Sequence, residues 1–444
     1  MTRRKLLGGA LLGTSVSLLL SCGGGDEEDR PPQDEPGSRV GVGVDAAKEV
    51  QQFALAVLDH PLMVTPGQKA IQEWTRGNVP GAPPGTSLQL VLVPTEGGAR
   101  DFLATQSAGG VAADFIWLPH QEDVPDIYKT GLLAPLDRWL QADDQRPLEV
   151  FAEEARRLVR FRAQTLALPI AVAPGVLAHN SLRFERAAVA APTHEWTWED
   201  FIEAAKRLTE DLDGDGSPDR WGFVAAAYFP DWLPLLLQEG GTVADLDTGK
   251  IGMDESASLR ALSAWDELGK VHGILPYGPE VTTRALQGYH DLFQRGMFFS
   301  LFFQYLPEHW RLVTPMPAGA SNTTPLVLME ALAIPDAAQG ERAYEVLVPL
   351  ASWLGERRVL PSVTAGWQFI KRPDRDHFDL VFSESTQDTV LQALANAKAS
   401  HVASSPAMTN ALFNIITYRL ARDEVGVEQA ATQATEWLTN YVNE

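Results

Sequence analysis

Phe53-Ala54-Leu55-Ala56-Val57-Leu58 is the stretch that determines the fold class, because a short unbroken apolar run is typical of a strand buried on both faces of a parallel sheet. A helix is predicted next, at residues 66–75, with a proline near its start. Two more strands are predicted at residues 88–93 and 114–118, with a helix at residues 99–107 between them. This alternation of strands and helices predicts an α/β fold.

The rest of the chain continues with extended and helical segments. Pro169 and Pro174 interrupt the apolar residues 166–178, so this segment is predicted to be extended rather than helical. Thr197 is followed three residues later by Asp200, which is a typical helix start. Further helices are predicted at residues 257–269, 338–354, 385–398 and 427–442.

Length and composition limit the class of protein. The 444 residues are too many for one ordinary core and favour two lobes, and 45% hydrophobic with 21% charged residues is a globular composition. A formal net charge of −22 would repel a phosphate backbone, so nucleic acid is not an expected partner. The 12 tryptophans fill cores first, but they also suit flat apolar ligand faces such as those of sugars.

The amino terminus reads as an export signal rather than as part of the fold. Basic residues at positions 3–5 precede an apolar stretch at 6–20 that is too short for a confident membrane span, which needs about 20 apolar residues. The stretch ends in Leu19-Leu20-Ser21-Cys22, which resembles a bacterial lipobox and implies lipidation of Cys22. Residues 1–21 are predicted to be a lipoprotein signal peptide, exported by either the general or the twin-arginine route. The mature protein is then expected to be anchored to the cell membrane, facing the periplasm or the exterior.

Residues 22–48 are predicted to form a flexible tether. The glycines at 23–25, the four acids at 26–29 and the prolines at 31, 32 and 36 cannot bury apolar surface. Cys22 is the one cysteine of the chain, so no disulfide can form within it.

Different short motifs follow one another along the chain, and their order carries more information than any one of them. The first half contains Ala113-Asp114-Phe115-Ile116, Gly131-Leu132-Leu133-Ala134-Pro135-Leu136-Asp137, Leu168-Pro169-Ile170-Ala171-Val172, His179-Asn180 and Thr197-Trp198-Glu199-Asp200-Phe201. Further along the chain come Asp213-Gly214-Asp215-Gly216, Trp221-Gly222-Phe223, Gly240-Gly241, Phe293-Gln294-Arg295-Gly296 and Pro315-Met316-Pro317. From about residue 50 to the end, this series resembles the extracellular solute-binding proteins of ABC importers, in the sugar-binding group that includes maltose-binding protein.

The resemblance implies a two-lobed periplasmic-binding-protein fold of type II, with a hinge and a ligand cleft between the lobes. It places the amino-terminal lobe at residues 49–168 and 318–350, and the carboxyl-terminal lobe at residues 169–317 and 351–444. It further implies a monomer that closes on a small solute, expected to be a mono- or oligosaccharide, and delivers it to ABC permease subunits. Closure follows because a ligand that touches both lobes favours the closed state.

Ligands of open α/β sheets bind beyond the carboxyl ends of the strands, so the loops there supply the candidate site residues. Asp59 and His60 follow the first strand and could hold sugar hydroxyls, or they could form an ordinary loop. Trp117 and His120 belong to the strand at 114–118 and its loop, where Trp117 could stack on a sugar or fill the core.

The remaining candidates lie in the later loops. Tyr228, Phe229 and Trp232 could form a stacking platform or pack beneath a helix. Phe303, Gln304 and Tyr305 occupy the position of the family's Gly-x-Trp ligand loop, although its glycine and tryptophan are absent here. Glu330 could bind ligand hydroxyls or a cation, or it could be exposed. Trp367 is placed at the rim of the second lobe.

An acidic loop raises the question of a metal. Asp211, Asp213, Asp215 and Asp219 have a spacing similar to that of a calcium loop, although the usual glutamate is replaced by Gly222. The loop could hold structural calcium or be a solvated turn, and no other cofactor is predicted.

No enzyme is predicted, because the chain lacks G-x-S-x-G, H-E-x-x-H, Walker A and G-x-G-x-x-G motifs. A ligand-binding sensor without transport, or an exported hydrolase, remains the alternative.

Overall fold

The computed structural model describes residues 50–109, 113–119, 124–142, 151–224, 230–282, 297–300, 313–314, 316–338, 340–357, 363–364 and 384–444. The predicted signal peptide, Cys22 and the tether lie outside these residues. Residues 49–444 make up one compact unit. Within the described ranges, no helix has the length and apolar character needed to cross a membrane.

The strands are β1 (Gln51–Leu58), β2 (Thr86–Val93), β3 (Phe115–Pro119), β4 (Arg160–Phe161), β5 (Gln164–Thr165), β6 (Leu168–Pro174), β7 (Val176–His179), β8 (Ala244–Asp245), β9 (Lys250–Ile251), β10 (Met297–Ser300), β11 (Val313–Thr314), β12 (Thr324–Ala333), β13 (Val363–Thr364) and β14 (Ala397–Ala399). The helices are α1 (Pro61–Thr75), α2 (Gly98–Gly109), α3 (Val124–Lys129), α4 (Asp137–Ala142), α5 (Glu153–Arg157), α6 (Ser181–Arg186), α7 (Trp198–Leu208), α8 (Leu233–Gln238), α9 (Ser256–Lys270), α10 (Glu341–Arg357), α11 (Glu384–Ala395), α12 (Pro406–Leu412), α13 (Arg419–Ala421) and α14 (Val427–Asn443).

A seven-stranded mixed sheet forms the centre of the fold, in the order β13-β6-β12-β3-β1-β2, with β14 beside β12. β1 runs parallel to β2 and β3, whereas β12 runs antiparallel to β3 and β6. All ten residues of β12 are buried, as expected for a strand covered on both faces. The predicted α/β class is confirmed.

The extended segment 166–178 contributes strands to two different sheets. β6 belongs to the large sheet, and after Gly175 the chain enters β7, which pairs antiparallel with β10 and β11 in a sheet of three strands. Pro169 and Pro174 both lie in β6, so the prediction that this segment is extended rather than helical is confirmed. The chain therefore passes from one sheet to the other near the predicted lobe boundary at 168, and the exact division into lobes stays a prediction.

Asp114 and Asp137, which belong to two of the sequence motifs, hold neighbouring segments of the fold together through hydrogen bonds. The Asp114 carboxylate accepts a hydrogen bond from the Ala54 amide (2.7 Å), and the Asp114 amide donates to the Ala54 carbonyl (2.9 Å). Burial raises the pKa of the Asp114 carboxyl, while the hydrogen bonds from the backbone amides of Ala54 and of Asp114 itself oppose this rise. Asp137 accepts from the amide (2.9 Å) and hydroxyl (3.2 Å) of buried Thr165, and thereby holds the β4–β5 hairpin. Both motifs thus have a structural role.

The predicted start of the helix at Thr197 is confirmed as a full capping box. The Thr197 hydroxyl accepts from the Asp200 amide (3.3 Å), and the Asp200 carboxylate accepts from the Thr197 amide (3.0 Å). Hydrogen bonds from Thr197 lower the pKa of the Asp200 carboxyl. The buried stripe of α7 consists of Phe201, Ala204, Ala205 and Leu208.

Two predicted boundaries differ from the structure. α1 begins at Pro61, earlier than predicted, because a proline is well suited to the first helical position. Residues 397–398 were predicted as the end of a helix but belong to β14, which pairs in parallel with the first residues of β12. Pairing with a distant strand overrides local helical preference there.

Candidate ligand site

Asp59 and His60 lie immediately beyond the carboxyl end of β1, and both are exposed. The Asp59 amide donates to the Val93 carbonyl at the end of β2 (2.7 Å), and the His60 amide donates to the Leu58 carbonyl (2.7 Å). α1 begins at the next residue, Pro61. The two side chains are therefore presented on a short, hydrogen-bonded turn at the edge of the sheet where ligands of such folds bind.

Trp117 and Glu330 form a buried polar contact on the neighbouring strands. The Trp117 indole Nε1 donates to Glu330 Oε2 at 3.2 Å, and the two side chains are 1% and 4% exposed. A buried carboxylate is costly unless hydrogen-bonded, and the indole supplies one such bond. The structure thus places Glu330 inside the protein rather than on its surface.

Strand register brings these residues to one edge. Glu330 lies opposite Pro119, the last residue of β3, at a point where the pairing of β12 with β6 is irregular. Ala56 is level with Ile116 in the parallel pair β1–β3, so continuing that register places Asp59 level with Pro119. Two strand spacings, about 10 Å, then separate Asp59 from Glu330. We call this edge the shelf. Asp59 and His60 are exposed there and can accept from and donate to a polyhydroxylated ligand, whereas Trp117 and Glu330 are buried and bonded to each other.

Trp232 lies in the core. Its side chain is 0% exposed at the residue before α8, and its indole Nε1 has no hydrogen-bond partner within the described residues. This burial favours the packing role over the stacking platform. Neighbouring Asp231, which the sequence analysis overlooked, is 1% exposed. A carboxylate between a proline and a tryptophan in a strand-end loop was the signal that could have identified it as a candidate.

Other predicted ligand residues lie outside the described residues. They are His120, Tyr228, Phe229, Phe303, Gln304, Tyr305 and Trp367. Their roles stay predictions.

The acidic loop brings three of its four aspartates together. One carboxylate oxygen each from Asp211, Asp213 and Asp215 lies within 4.8 Å of the others, and all three residues are exposed. Asp211 accepts from the amides of Gly214 (2.7 Å) and Gly216 (2.9 Å), which lower the pKa of its carboxyl. Asp219 instead accepts from the Leu212 amide (2.7 Å). The loop is a tight turn whose carboxylates converge.

Calcium at this loop stays a prediction and has a direct test. If Asp211, Asp213 and Asp215 hold Ca²⁺, millimolar calcium will raise the melting temperature of the wild-type protein because the ion binds only the folded state. Magnesium at the same concentration serves as the ionic control. The double variant Asp213→Asn, Asp215→Asn should lose the shift, and an equal shift in both proteins would contradict the calcium prediction.

Comparisons with known proteins identify the family and the fold. Residues 72–296 match the family model of the bacterial extracellular solute-binding protein. No curated protein matches the sequence.

Similar solved structures share the fold at low sequence identity. The cyclic α-maltosyl-1,6-maltose binding protein of Arthrobacter globiformis has a TM-score of 0.67 at 16% identity, covering 88% of this chain and 98% of that one. An ABC substrate-binding protein of Listeria monocytogenes in complex with cycloalternan has a TM-score of 0.64 at 15% identity, covering 88% and 99%. An ABC transporter solute-binding protein of Thermotoga lettingae bound to α-D-tagatose has a TM-score of 0.61 at 16% identity, covering 88% and 100%.

The fold expected from the motif order, a two-lobed α/β binding protein similar to maltose-binding protein, is confirmed by these structures. The family match extends over half of the chain. This protein therefore belongs to the bacterial extracellular solute-binding protein family.

Proposed function

We propose that this protein captures a neutral mono- or oligosaccharide outside the cell and delivers it to the permease of an ABC importer. The observation that carries the proposal is the shelf at the carboxyl ends of β1 and β3, where Asp59 and His60 are exposed on the turn that follows β1. A carboxylate accepts hydrogen bonds from sugar hydroxyls, and an imidazole can donate or accept one.

The ligands bound in similar solved structures support a carbohydrate as the ligand of this protein. Their bound molecules range from the cyclic sugar cycloalternan to the monosaccharide α-D-tagatose, so the fold accommodates sugars of different size. The predicted ligand residues of this chain include no arginine or lysine, which argues against a phosphorylated or strongly anionic ligand.

Membership of an extracellular family supports export, and the motif at Leu19–Cys22 supports a lipid anchor on Cys22. In this proposal, residues 22–48 tether the domain to the membrane surface, close to the permease. The proposal includes a monomer, since a cleft between two lobes of one chain needs no second subunit.

A thermal-shift screen across mono- and oligosaccharides tests the proposal. A sugar that binds the folded protein raises its melting temperature by mass action, whereas a hydrolase would also convert the sugar to products detectable by chromatography. Stabilisation without turnover is expected. Stabilisation only by peptides or anions would exclude the sugar proposal, and sugar binding without uptake in a strain that carries the cognate permease would favour a sensor.

Substitution of Asp59 tests the shelf itself. Asp59→Ala is expected to weaken binding of the best sugar roughly 10- to 100-fold, because a hydrogen bond to a charged group contributes about 1.5–3 kcal/mol. Isothermal titration calorimetry measures the change. Glu436→Ala, on the exposed side of α14, is the matched control and should leave the affinity unchanged. Equal affinities of the Asp59 variant and the wild type would remove Asp59 from the site.

A further inference from the structure

The turn of the β4–β5 hairpin has an unusual backbone conformation. Arg160 pairs with Thr165, and the two residues at the tip, Arg162 and Ala163, both have positive φ (48° and 63°). A two-residue turn with positive φ at both positions favours Asn-Gly, because these residues adopt that conformation at little steric cost. Residues with larger side chains are strained there, and such strain persists only where the surroundings hold the backbone in place.

Hydrogen bonds from the loop between β8 and β9 hold this turn. The Arg162 amide donates to the Leu246 carbonyl (3.0 Å), and the Ala163 amide donates to Asp247 Oδ1 (2.6 Å). The other oxygen of the same carboxylate, Oδ2, accepts from Arg160 Nε (3.0 Å). Asp247 therefore binds both the backbone of the turn and the side chain at its base.

The carboxyl end of α14 is held from the same side. The Arg162 guanidinium donates to the Val442 carbonyl (2.8 Å), and the Lys129 ammonium donates to the Tyr441 carbonyl (3.0 Å). Cations are favourable at this end of a helix because the helix dipole places partial negative charge there. We call the contacts of Lys129 and residues 160–163 with residues 246–247 and 441–442 the latch.

The latch crosses the predicted boundary between the lobes. Lys129 and residues 160–163 belong to the predicted amino-terminal lobe, whereas residues 246–247 and 441–442 belong to the predicted carboxyl-terminal lobe. None of these residues is part of the shelf. Asp59 and His60 are exposed in the same arrangement, so the shelf is open to solvent while the latch is engaged.

Closure of the lobes would disturb the latch. A hinge rotation moves one lobe relative to the other, and the latch contacts reach two separate segments of the carboxyl-terminal lobe, so their distances cannot all be preserved. Hydrogen bonds weaken steeply when they are lengthened or bent. A solute that draws the lobes together must therefore break latch contacts, and its apparent affinity falls with the fraction of protein that can close.

We propose that the latch favours the open arrangement of the lobes and thereby lowers the affinity for the solute without touching it. This inference rests on the predicted lobe division and on the binding function proposed above. The strained turn suits a contact that has to release, because undocking allows Arg162 and Ala163 to return to ordinary negative φ.

Asp247→Ala tests the latch, because one substitution removes two of its contacts. In isothermal titration calorimetry, the variant should bind the sugar with the largest thermal shift about 3- to 10-fold more tightly than the wild type, since closure no longer breaks these contacts. Its urea midpoint should nevertheless be lower, because the same contacts stabilise the fold. A residue with a merely structural role would not combine tighter binding with lower stability.

Asp254→Ala is the matched control, because it removes an exposed carboxylate just after β9 and should leave the affinity unchanged. Asp247 is 30% exposed, so its variant is expected to fold. Unchanged or weaker sugar binding by Asp247→Ala would overturn the proposal.

Spin labels report on the lobes without any sugar. Cys22 is the one natural cysteine, so a Cys22→Ser background can be labelled at Gln72→Cys on α1 and Ser263→Cys on α9, which are exposed and lie in different predicted lobes. Double electron–electron resonance should show a second distance population in Asp247→Ala that the protein with an intact latch lacks. If no sugar binds the wild type, the function proposed above fails, and identical distance distributions would then overturn the latch on their own.

Discussion

Gly222→Ala is expected to lower the free energy of unfolding by roughly 3 kcal/mol or more, at the upper end of the range for overpacked sites. A Cβ atom at this position would lie 2.0 Å from the carbonyl oxygen of Ala205 in α7. The clash is with backbone, which cannot swing aside as a long side chain can. The glycine of the Trp221-Gly222-Phe223 motif is therefore required by the close approach of two backbone segments.

Backbone hydrogen bonds prevent Gly222 from moving away. Its amide donates to the Thr209 hydroxyl (3.0 Å), and its carbonyl accepts from the Met297 amide at the start of β10 (2.8 Å). Relief of the clash would break one of these bonds or displace α7 from the second sheet.

Urea denaturation followed by tryptophan fluorescence measures this loss as a lower transition midpoint. Gly109→Ala is the matched control, because Gly109 ends α2, is exposed, and has no atom within 4 Å of the added methyl. Its midpoint should equal or slightly exceed that of the wild type. A Gly222→Ala midpoint equal to that of Gly109→Ala would show that α7 and its loop can separate without cost.

The second large effect is a loss of stability on acidification, to which His179 contributes about 3 kcal/mol. His179 is 3% exposed on β7 and packs edge-on against Phe184 at 5.0 Å between ring centroids. Neither of its ring nitrogens is hydrogen-bonded to any residue that the structure describes. Burial lowers the pKa of its imidazole to about 4, from an unfolded value near 6.5.

The direction follows from proton binding. Between pH 6.5 and pH 4 the unfolded chain binds a proton at this histidine and the folded protein does not, so acidification favours unfolding. The contribution of His179 to the free energy of unfolding is fully present above pH 6.5 and declines as the pH falls towards 4. Below about pH 4 it declines no further. His401, whose pKa burial likewise lowers to about 4, contributes in the same direction.

Comparison of unfolding free energies at pH 7 and pH 4.5 isolates the effect. His179→Phe keeps an aromatic ring against Phe184 but removes the titrating group. The free energy of unfolding of this variant should therefore fall less between the two pH values than that of the wild type. His194→Gln changes an exposed histidine and should reproduce the wild-type difference. A His179→Phe protein with the full wild-type pH dependence would show that His179 titrates normally in the folded state.

Much of the architecture was predictable from residues near one another in the chain. The apolar run at Phe53–Leu58, the prolines of β6 and the capping box at Thr197 each specify a local conformation through sterics or through hydrogen bonds between close neighbours. Their order along the chain also indicated the family, which the match over residues 72–296 confirms.

The roles of individual motif residues depended on distant contacts. Asp114 could not be distinguished from a ligand residue by sequence, yet its carboxylate is occupied by the Ala54 amide. Residues 397–398 carry helical preference, but pairing with β12 makes them a strand. In each case a partner far away in sequence decided the outcome.

The class of fold, the succession of its elements and the family could be predicted from short windows of the chain, because they follow from apolar periodicity and turn chemistry. The contact of Trp117 with Glu330, 213 positions later, and the burial of Trp232 became visible only in the folded molecule. The physical reason is that burial and hydrogen bonding are properties of an environment, and residues that are far apart in the chain create that environment when they pack together.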